Sequence, residues 1–382
     1  MVDRVELLNF KLLRDVQFDL GRLNVFVGRN GVGKSSVLRG LDLLMWSHGL
    51  TRGKSPPKKE MVLSDEHQRT PIVSKPDADL LRIQAKLGKY GILAEGRLGA
   101  EGRLGGPTHS LKLKLISGEW GSPDANGVRV DLPFLSRPVL PSTAKLPATR
   151  ALYLDARSIR NPHNPVVDPP TINSNGKGVS SALLHLQIQR DGRLEALEAD
   201  LAKIVKGVKR VRALPVRFQT EEQENQTFNG REYVVLEPKQ VNGTRFEVEL
   251  DGVGWLPAQA LSEGTVLALA LVTVLHYEQP STLLLDDIDK GLHPLAQREL
   301  IELLRRLLAQ HPELQILATS HSPYLLDSLQ PEEVFVVGAV SPQESRVRRL
   351  DTHPKFTKYR DVMSSGELWS HLGEDWVAEE PA

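Results

Sequence analysis

The chain has 382 residues, 48 Lys and Arg against 48 Asp and Glu, 40% hydrophobic and 25% charged, which suits a large mixed core and excludes whole-molecule attraction to nucleic acid. The absence of cysteine rules out disulfides, zinc thiolates and iron–sulfur clusters. No apolar run reaches about 18 residues, and Asp3, Arg4 and Glu6 break any signal-like start, so a cytoplasmic location without a membrane partner is expected.

Strand patterns run through Val5–Lys11 and Asp15–Leu20, and Leu23–Val27 reads as a short buried strand. The loop that follows, Gly28–Ser36, matches G-x-x-x-x-G-K-[ST], and Ser36–Met45 carries helical apolar spacing. Strand, glycine loop and helix in that order make a phosphate cradle. Glycines let backbone N–H groups approach phosphate oxygens, and the helix N-terminus adds positive potential. Asn30, Gly31, Gly33, Lys34, Ser35 and Ser36 are the candidate nucleotide-binding residues. Lys34 reaches the β- and γ-phosphates, and the Ser35 hydroxyl ligates Mg²⁺.

A Pro- and Lys-containing loop, Thr51–Lys59, opens a variable region that extends to about Arg150. It contains the near-duplication Glu95–Ala100 and Glu101–Gly106, which reads as a hairpin or loop without chemistry. Gly/Pro density at Pro133–Pro147 and Pro162–Pro170 marks long connections, and a helical stretch is expected over Val179–Lys209. Two basic clusters stand out: Arg52, Lys54, Lys58 and Lys59, and then Lys203, Lys206, Lys209, Arg210, Arg212 and Arg217 at the end of a helix from near Asp191. Each reads either as a solvated face or as a local nucleic-acid patch. Alternating strands follow around Tyr233–Leu236 and Phe246–Leu250.

Leu261–Gly264, LSEG, taken alone is a Ser N-cap before the apolar helix that starts at Thr265. Ser281–Asp287 is an apolar strand ending in paired carboxylates, the form of a Walker B strand. Asp286 holds the Mg²⁺ shell, Asp287 orients or deprotonates the attacking water, and Asp289 is a weaker candidate for that work. A further apolar strand, Gln315–Ser320, runs into His321, which is either structural or a γ-phosphate contact.

Together Gly28–Ser36, Leu261–Gly264, Asp286–Pro294 and Thr319–Pro323 resemble the ABC-type ATPases of the RecF, SMC and OLD group. Within it the chain is most similar to prokaryotic single-chain AAA-family ATP-binding proteins without a Toprim domain. Val5–Lys11, Tyr153–Arg157, Gly366–Trp369 and Gly373–Trp376 extend the likeness over most of the chain. The resemblance implies an α/β ABC-ATPase (P-loop NTPase) head with a mixed β-sheet core and an inserted helical lobe. It implies Mg²⁺-dependent ATP hydrolysis, with Lys34, Asp287 and His321 catalytic, and a homodimer around two ATP. In that dimer Ser262 and Gly264 touch the γ-phosphate held by the other subunit. The partners it offers are DNA and a separately encoded nuclease or effector, in DNA repair or in anti-phage and plasmid defence.

Asp287 departs from the glutamate usual at that place, and the Q-loop glutamine rests between Gln68 and Gln84. The expected layout is a single ATPase domain over 1–382. It comprises an N-terminal half-lobe (1–49), a variable β/loop region (50–150), a helical lobe with strands (151–258), the half-lobe carrying signature, Walker B and His321 (259–340), and a C-terminal extension (341–382). No sustained heptads predict a long coiled-coil arm, and too few residues follow Asp327 for a nuclease domain.

Overall fold

The computed structural model describes residues 1–47, 80–87, 90–97, 111–117, 128–130, 148–165, 167–228 and 231–379. They form two compact units: 1–152 with 280–290 and 297–382, and 153–279 with 291–296.

The first unit is built on a sheet of twelve strands in the order β7-β6-β5-β4-β1-β2-β15-β14-β3-β13-β12-β8. In chain order these are β1 Arg4–Phe10, β2 Leu13–Asp19, β3 Leu23–Val27, β4 Leu80–Leu87, β5 Tyr90–Arg97, β6 Leu111–Ser117, β7 Val128–Val130, β8 Thr149–Leu152, β12 Thr282–Leu285, β13 Gln315–Ser320, β14 Val334–Ser341 and β15 Glu344–Arg349. From β14 to β8 every neighbour is parallel; from β2 to β7 every pair is antiparallel. The sheet is therefore mixed, as expected.

Composition follows this division. Strands β3, β8, β12 and β13 are buried at every position, as parallel strands covered on both faces must be. Strand β2 instead alternates buried and open residues, the pattern of an antiparallel strand with one wet face. Phe18, Phe26 and Phe335 meet across β2, β3 and β14 with ring centroids 5.1–5.6 Å apart, each such pair adding about 0.5–1.5 kcal/mol beyond burial. The helix Pro294–Gln310 buries Leu300, Ile301, Leu304 and Leu308 at helical spacing, with Glu299, Glu302 and Arg306 exposed. At the end of β1 and just after it, Asn9 and Lys11 both take left-handed backbone conformations, which turns the N-F-K stretch so that Phe10 pairs with Leu13.

The second unit gathers the helices Ala156–Arg160, Val179–Gln189, Arg193–Ile204 and Glu263–Glu278 with a three-stranded antiparallel sheet, β11-β10-β9. Here β9 is Val208–Phe228, β10 Arg231–Leu250 and β11 Gly254–Pro257. The helix Glu263–Glu278 is buried continuously from Gly264 to Leu275, which is why it reads as apolar on all faces. Two expectations change in this unit. The helical stretch ends at Ile204, so Lys209, Arg210, Arg212 and Arg217 lie on β9. The segments around Tyr233–Leu236 and Phe246–Leu250 belong to one strand of 20 residues.

Candidate functional site

Strands β3, β13 and β12 are adjacent and parallel, so the loops at their C-terminal ends open side by side, the position at which open α/β sheets bind ligands. The glycine loop follows β3, His321 follows β13, and Asp286 and Asp287 follow β12.

The glycine loop turns at Gly28, where φ is 151° and a Cβ would lie 2.3 Å from the Val337 carbonyl oxygen. Only glycine fits there. Lys34 opens the helix Lys34–Ser47 and is 4% exposed. Its ammonium folds back over the loop and donates to the carbonyls of Gly28 at 2.8 Å and Arg29 at 2.9 Å. Ser35 and Ser36 sit in the first turn of the same helix, and Asn30 and Gly31 are exposed at the loop crest. Burial holds the Lys34 ammonium below the ordinary lysine range, against the upward pull of Asp287, Glu374, Asp286 and Asp289.

Thr319 on β13 links the two carboxylates: its hydroxyl donates to Asp286 Oδ1 at 2.7 Å and accepts the Asp287 N–H at 2.8 Å. Asp287 has φ 50°, a left-handed conformation that Asp tolerates better than most residues. Its carboxyl is pushed above the usual carboxylate range, first by desolvation and then by Asp286. His321 stands between ammonium and carboxylate, with Nδ1 3.4 Å from Lys34 Nζ and Nε2 3.7 Å from Asp287 Oδ1. An ammonium only donates, so Nδ1 accepts and the proton sits on Nε2, facing Asp287. Asp289 accepts the backbone N–H of His321 at 3.2 Å, which makes it a support for His321.

The structure thus brings Lys34, Asp287 and His321 together. It gives roles to two residues to which the motifs assign none. Thr319 lies inside an apolar strand, and Glu374 comes from the far end of the chain. Glu374 is buried, reaches within 3.8 Å of Arg29 Nε, and pulls on Lys34. The only signal for it in the sequence is the Gly373–Trp376 segment that carried part of the family likeness.

In the second unit Ser262 caps the helix Glu263–Glu278, its hydroxyl accepting the Thr265 N–H at 3.1 Å. Gly264 packs against Gly291 so closely that a Cβ would fall 2.2 Å from the Gly291 carbonyl oxygen. Half of the basic cluster on this unit is paired. Lys203 meets Asp200 at 3.1 Å, Lys209 meets Asp251 at 2.7 Å, and Arg212 meets Glu247 at 2.6 Å beneath the Trp255 ring. Gln84 lies in mid-strand on β4 and its amide donates to Glu6. Gln68 and the cluster Arg52, Lys54, Lys58 and Lys59 lie outside the described residues.

Residues 23–327 match the family described as AAA domain, putative AbiEii toxin, Type IV TA system. The chain belongs to this family. Its fold and similarities are those of an ABC-type P-loop ATPase of the RecF, SMC and OLD group. It is 42% identical over 45 residues to an OLD nuclease of Thermus scotoductus, a stretch covering 12% of this chain and 8% of that protein. It is 34% identical over 68 residues to the Septu protein PtuA of Bacillus thuringiensis, covering 18% of this chain and 16% of that one. The chain therefore spans only a small part of both relatives. Among solved structures, an SMC head bound to the C-winged helix domain of ScpA aligns with a TM-score of 0.54 and 15% identity over 94% of this chain and 99% of its own, a likeness of fold alone. Among the described residues no helix is long and apolar enough to cross a membrane.

Proposed function

We propose that the chain binds and hydrolyses ATP with Mg²⁺, that two copies close around two nucleotides, and that closure drives a DNA-associated clamp or switch in repair or in anti-phage and plasmid defence. The observation that carries this reading is the meeting of Lys34, Asp287 and His321 at the ends of three adjacent parallel strands. Names among the relatives, an OLD nuclease, a Septu protein and a putative AbiEii toxin family, support the defence setting.

The residues suit the substrate and its metal. The backbone at Gly28 leaves no room for a side chain, and Lys34 holds a cation inside the loop. Asn30, Gly31, Gly33 and Ser36 would present the rest of the phosphate cradle. Ser35 and Asp286 offer the hard oxygen donors that Mg²⁺ takes. Mg²⁺ would neutralise charge developing on the phosphate oxygens. Thr319 fixes the direction of Asp286 and the backbone of Asp287. Asp287 orients the attacking water and accepts its proton as oxygen bonds to the γ-phosphorus and the bond to ADP breaks. His321, with Nε2–H toward Asp287, keeps that carboxylate turned inward. Ser262 and Gly264 would supply a hydroxyl and a helix N-terminus to the γ-phosphate held by the second copy.

The test is phosphate release by wild type, Lys34→Ala and Asp287→Asn, with ATP binding measured alongside. Lys34→Ala should lose both; Asp287→Asn should keep binding and lose turnover. Normal hydrolysis by Asp287→Asn would remove the assigned base.

A second reading is an ATP-locked scaffold, or the regulatory subunit of a separately encoded effector nuclease, with little hydrolysis of its own. Asp287 favours it, being one methylene shorter than glutamate and close to His321, and the ion pairs of Lys203, Lys209 and Arg212 leave less free charge for DNA. Turnover well below one ATP per minute in a stable ATP-bound dimer would select this reading.

A further inference from the structure

The loop that leads into Ser262 is held from the side by a short helix. Ala156–Arg160 starts at Asp155, whose carboxylate accepts the Ser158 N–H at 2.8 Å. The Asn175 amide donates to the Ser158 hydroxyl at 3.1 Å, and Ile159 is buried against the backbone of Gly176. The last residue of the helix is thereby fixed. From it the Arg160 guanidinium donates through Nη2 to the Leu261 carbonyl at 2.8 Å, and the Gln259 amide donates back to the Arg160 carbonyl at 3.1 Å. Hydrogen bonds thus run both ways between Arg160 and residues 259–261.

Leu261 directly precedes Ser262 and is itself buried. Arg160 Nε is buried without a hydrogen-bond partner, an arrangement that costs free energy. Its Nη2 instead donates to the carbonyl that sets the direction of the chain into the signature. A charged donor on a backbone carbonyl is one of the stronger neutral-to-ion hydrogen bonds. From Leu261 the order passes to the Ser262 hydroxyl, bonded to the Thr265 N–H and hydroxyl, and so to the first turn of the helix Glu263–Glu278.

We infer that Arg160 is a positioning residue for the signature, holding Leu261 so that Ser262 and the following helix N-terminus are aimed before the second copy arrives. This rests on the proposed role of Ser262 in closing the dimer. Arg160 bonds to Leu261 and Gln259 and is not among the residues proposed to hold the nucleotide or the metal. Its loss should therefore weaken closure and leave nucleotide binding by the single chain alone.

The experiment measures ATP-induced dimerisation by sedimentation, and ATP affinity at concentrations where the chain is monomeric, for wild type, Arg160→Met, Arg160→Lys and Ser262→Arg. Arg160→Met keeps the apolar stem and should weaken the ATP-bound dimer by about tenfold or more, the scale of one lost charged hydrogen bond. Its monomer ATP affinity should stay within about twofold of wild type, which also reports that it is folded. Arg160→Lys retains a donor and should recover most of the dimer, which a merely space-filling role would not explain. If Arg160→Met is insoluble, Gln259→Ala, altered at an exposed side chain, should weaken the dimer at unchanged ATP affinity. Wild-type dimerisation by Arg160→Met or, in its place, by Gln259→Ala, or equal loss in the Met and Lys variants, overturns the inference while Ser262→Arg still blocks closure. Closure that survives Ser262→Arg instead removes the signature reading on which it rests.

Discussion

In the proposed mechanism Asp287 concentrates the chemistry and the cost of the site in one side chain. Desolvation and Asp286 raise its pKa, which makes it a better base and a less stable anion in the folded chain. If Asp287 is the base, as proposed, turnover needs its carboxylate, so the acid limb should lie above the ordinary aspartate range and disappear in Asp287→Asn. The effect on stability has the opposite sense. A carboxyl raised on folding stabilises most below its unfolded pKa and loses that contribution as pH rises through the folded value. Asp287→Asn should therefore melt no lower than wild type at neutral pH, while hydrolysing at least about a hundredfold more slowly, the scale of one lost general base. Lys34 has the reverse sign: burial lowers its pKa, so ATP affinity should begin to fall at a pH below the usual lysine range. Equilibrium titration of ATP binding against pH would show it. Lys34, Asp286 and Asp287 are legible in the sequence because strand, loop and spacing define them locally. Thr319 and Glu374 are not, because their roles depend on β13 lying between β3 and β12 and on the segment that carries Glu374 returning toward Arg29. Glu374→Gln removes a negative charge beside Lys34 and should lower the lysine pKa further, shifting the alkaline fall in ATP affinity to lower pH.

Among the elements, the parallel strands are the most legible. Their unbroken apolar runs state that both faces are covered, and their polar ends state where the site opens. The long hairpin is the least legible. Pro238 and Asn242–Gly243 interrupt the pattern as turn residues would, yet both lie inside β10, paired with Glu221 and with Arg217 and Val216. At Pro238 β10 has β9 on one side only, since β11 covers no more than Glu247–Leu250, and an edge position tolerates the missing N–H. Gly243 sits beneath the Phe218 ring, where a Cβ would meet Cε1 at 2.4 Å. A tertiary contact thus overrides local turn chemistry. At the signature, Gly264→Ala would drive a methyl into the Gly291 carbonyl. It should lower thermal stability by about 1–3 kcal/mol, the usual cost of overpacking, and weaken ATP-induced closure without changing single-chain ATP affinity.

At the scale of the whole molecule, zero net charge and the pairing of Lys203, Lys209 and Arg212 with Asp200, Asp251 and Glu247 leave less free positive charge for DNA, and the proposed dimer is held by ATP. The fold class was readable from the family likeness that the motifs carry, and the pairing of a P-loop with an acidic partner strand placed the two in one parallel sheet. That the six residues 291–296 after the Walker B segment join 153–279 was not, since it depends on Gly291 packing against Gly264. The central claim is that hydrolysis requires two copies. It is tested most directly by the ATP hydrolysis rate per chain across protein concentration, with Lys34→Ala as the blank. A rate per chain that climbs with concentration and levels off as dimer saturates is the predicted result; a rate per chain that is flat from the monomeric range upward would contradict it.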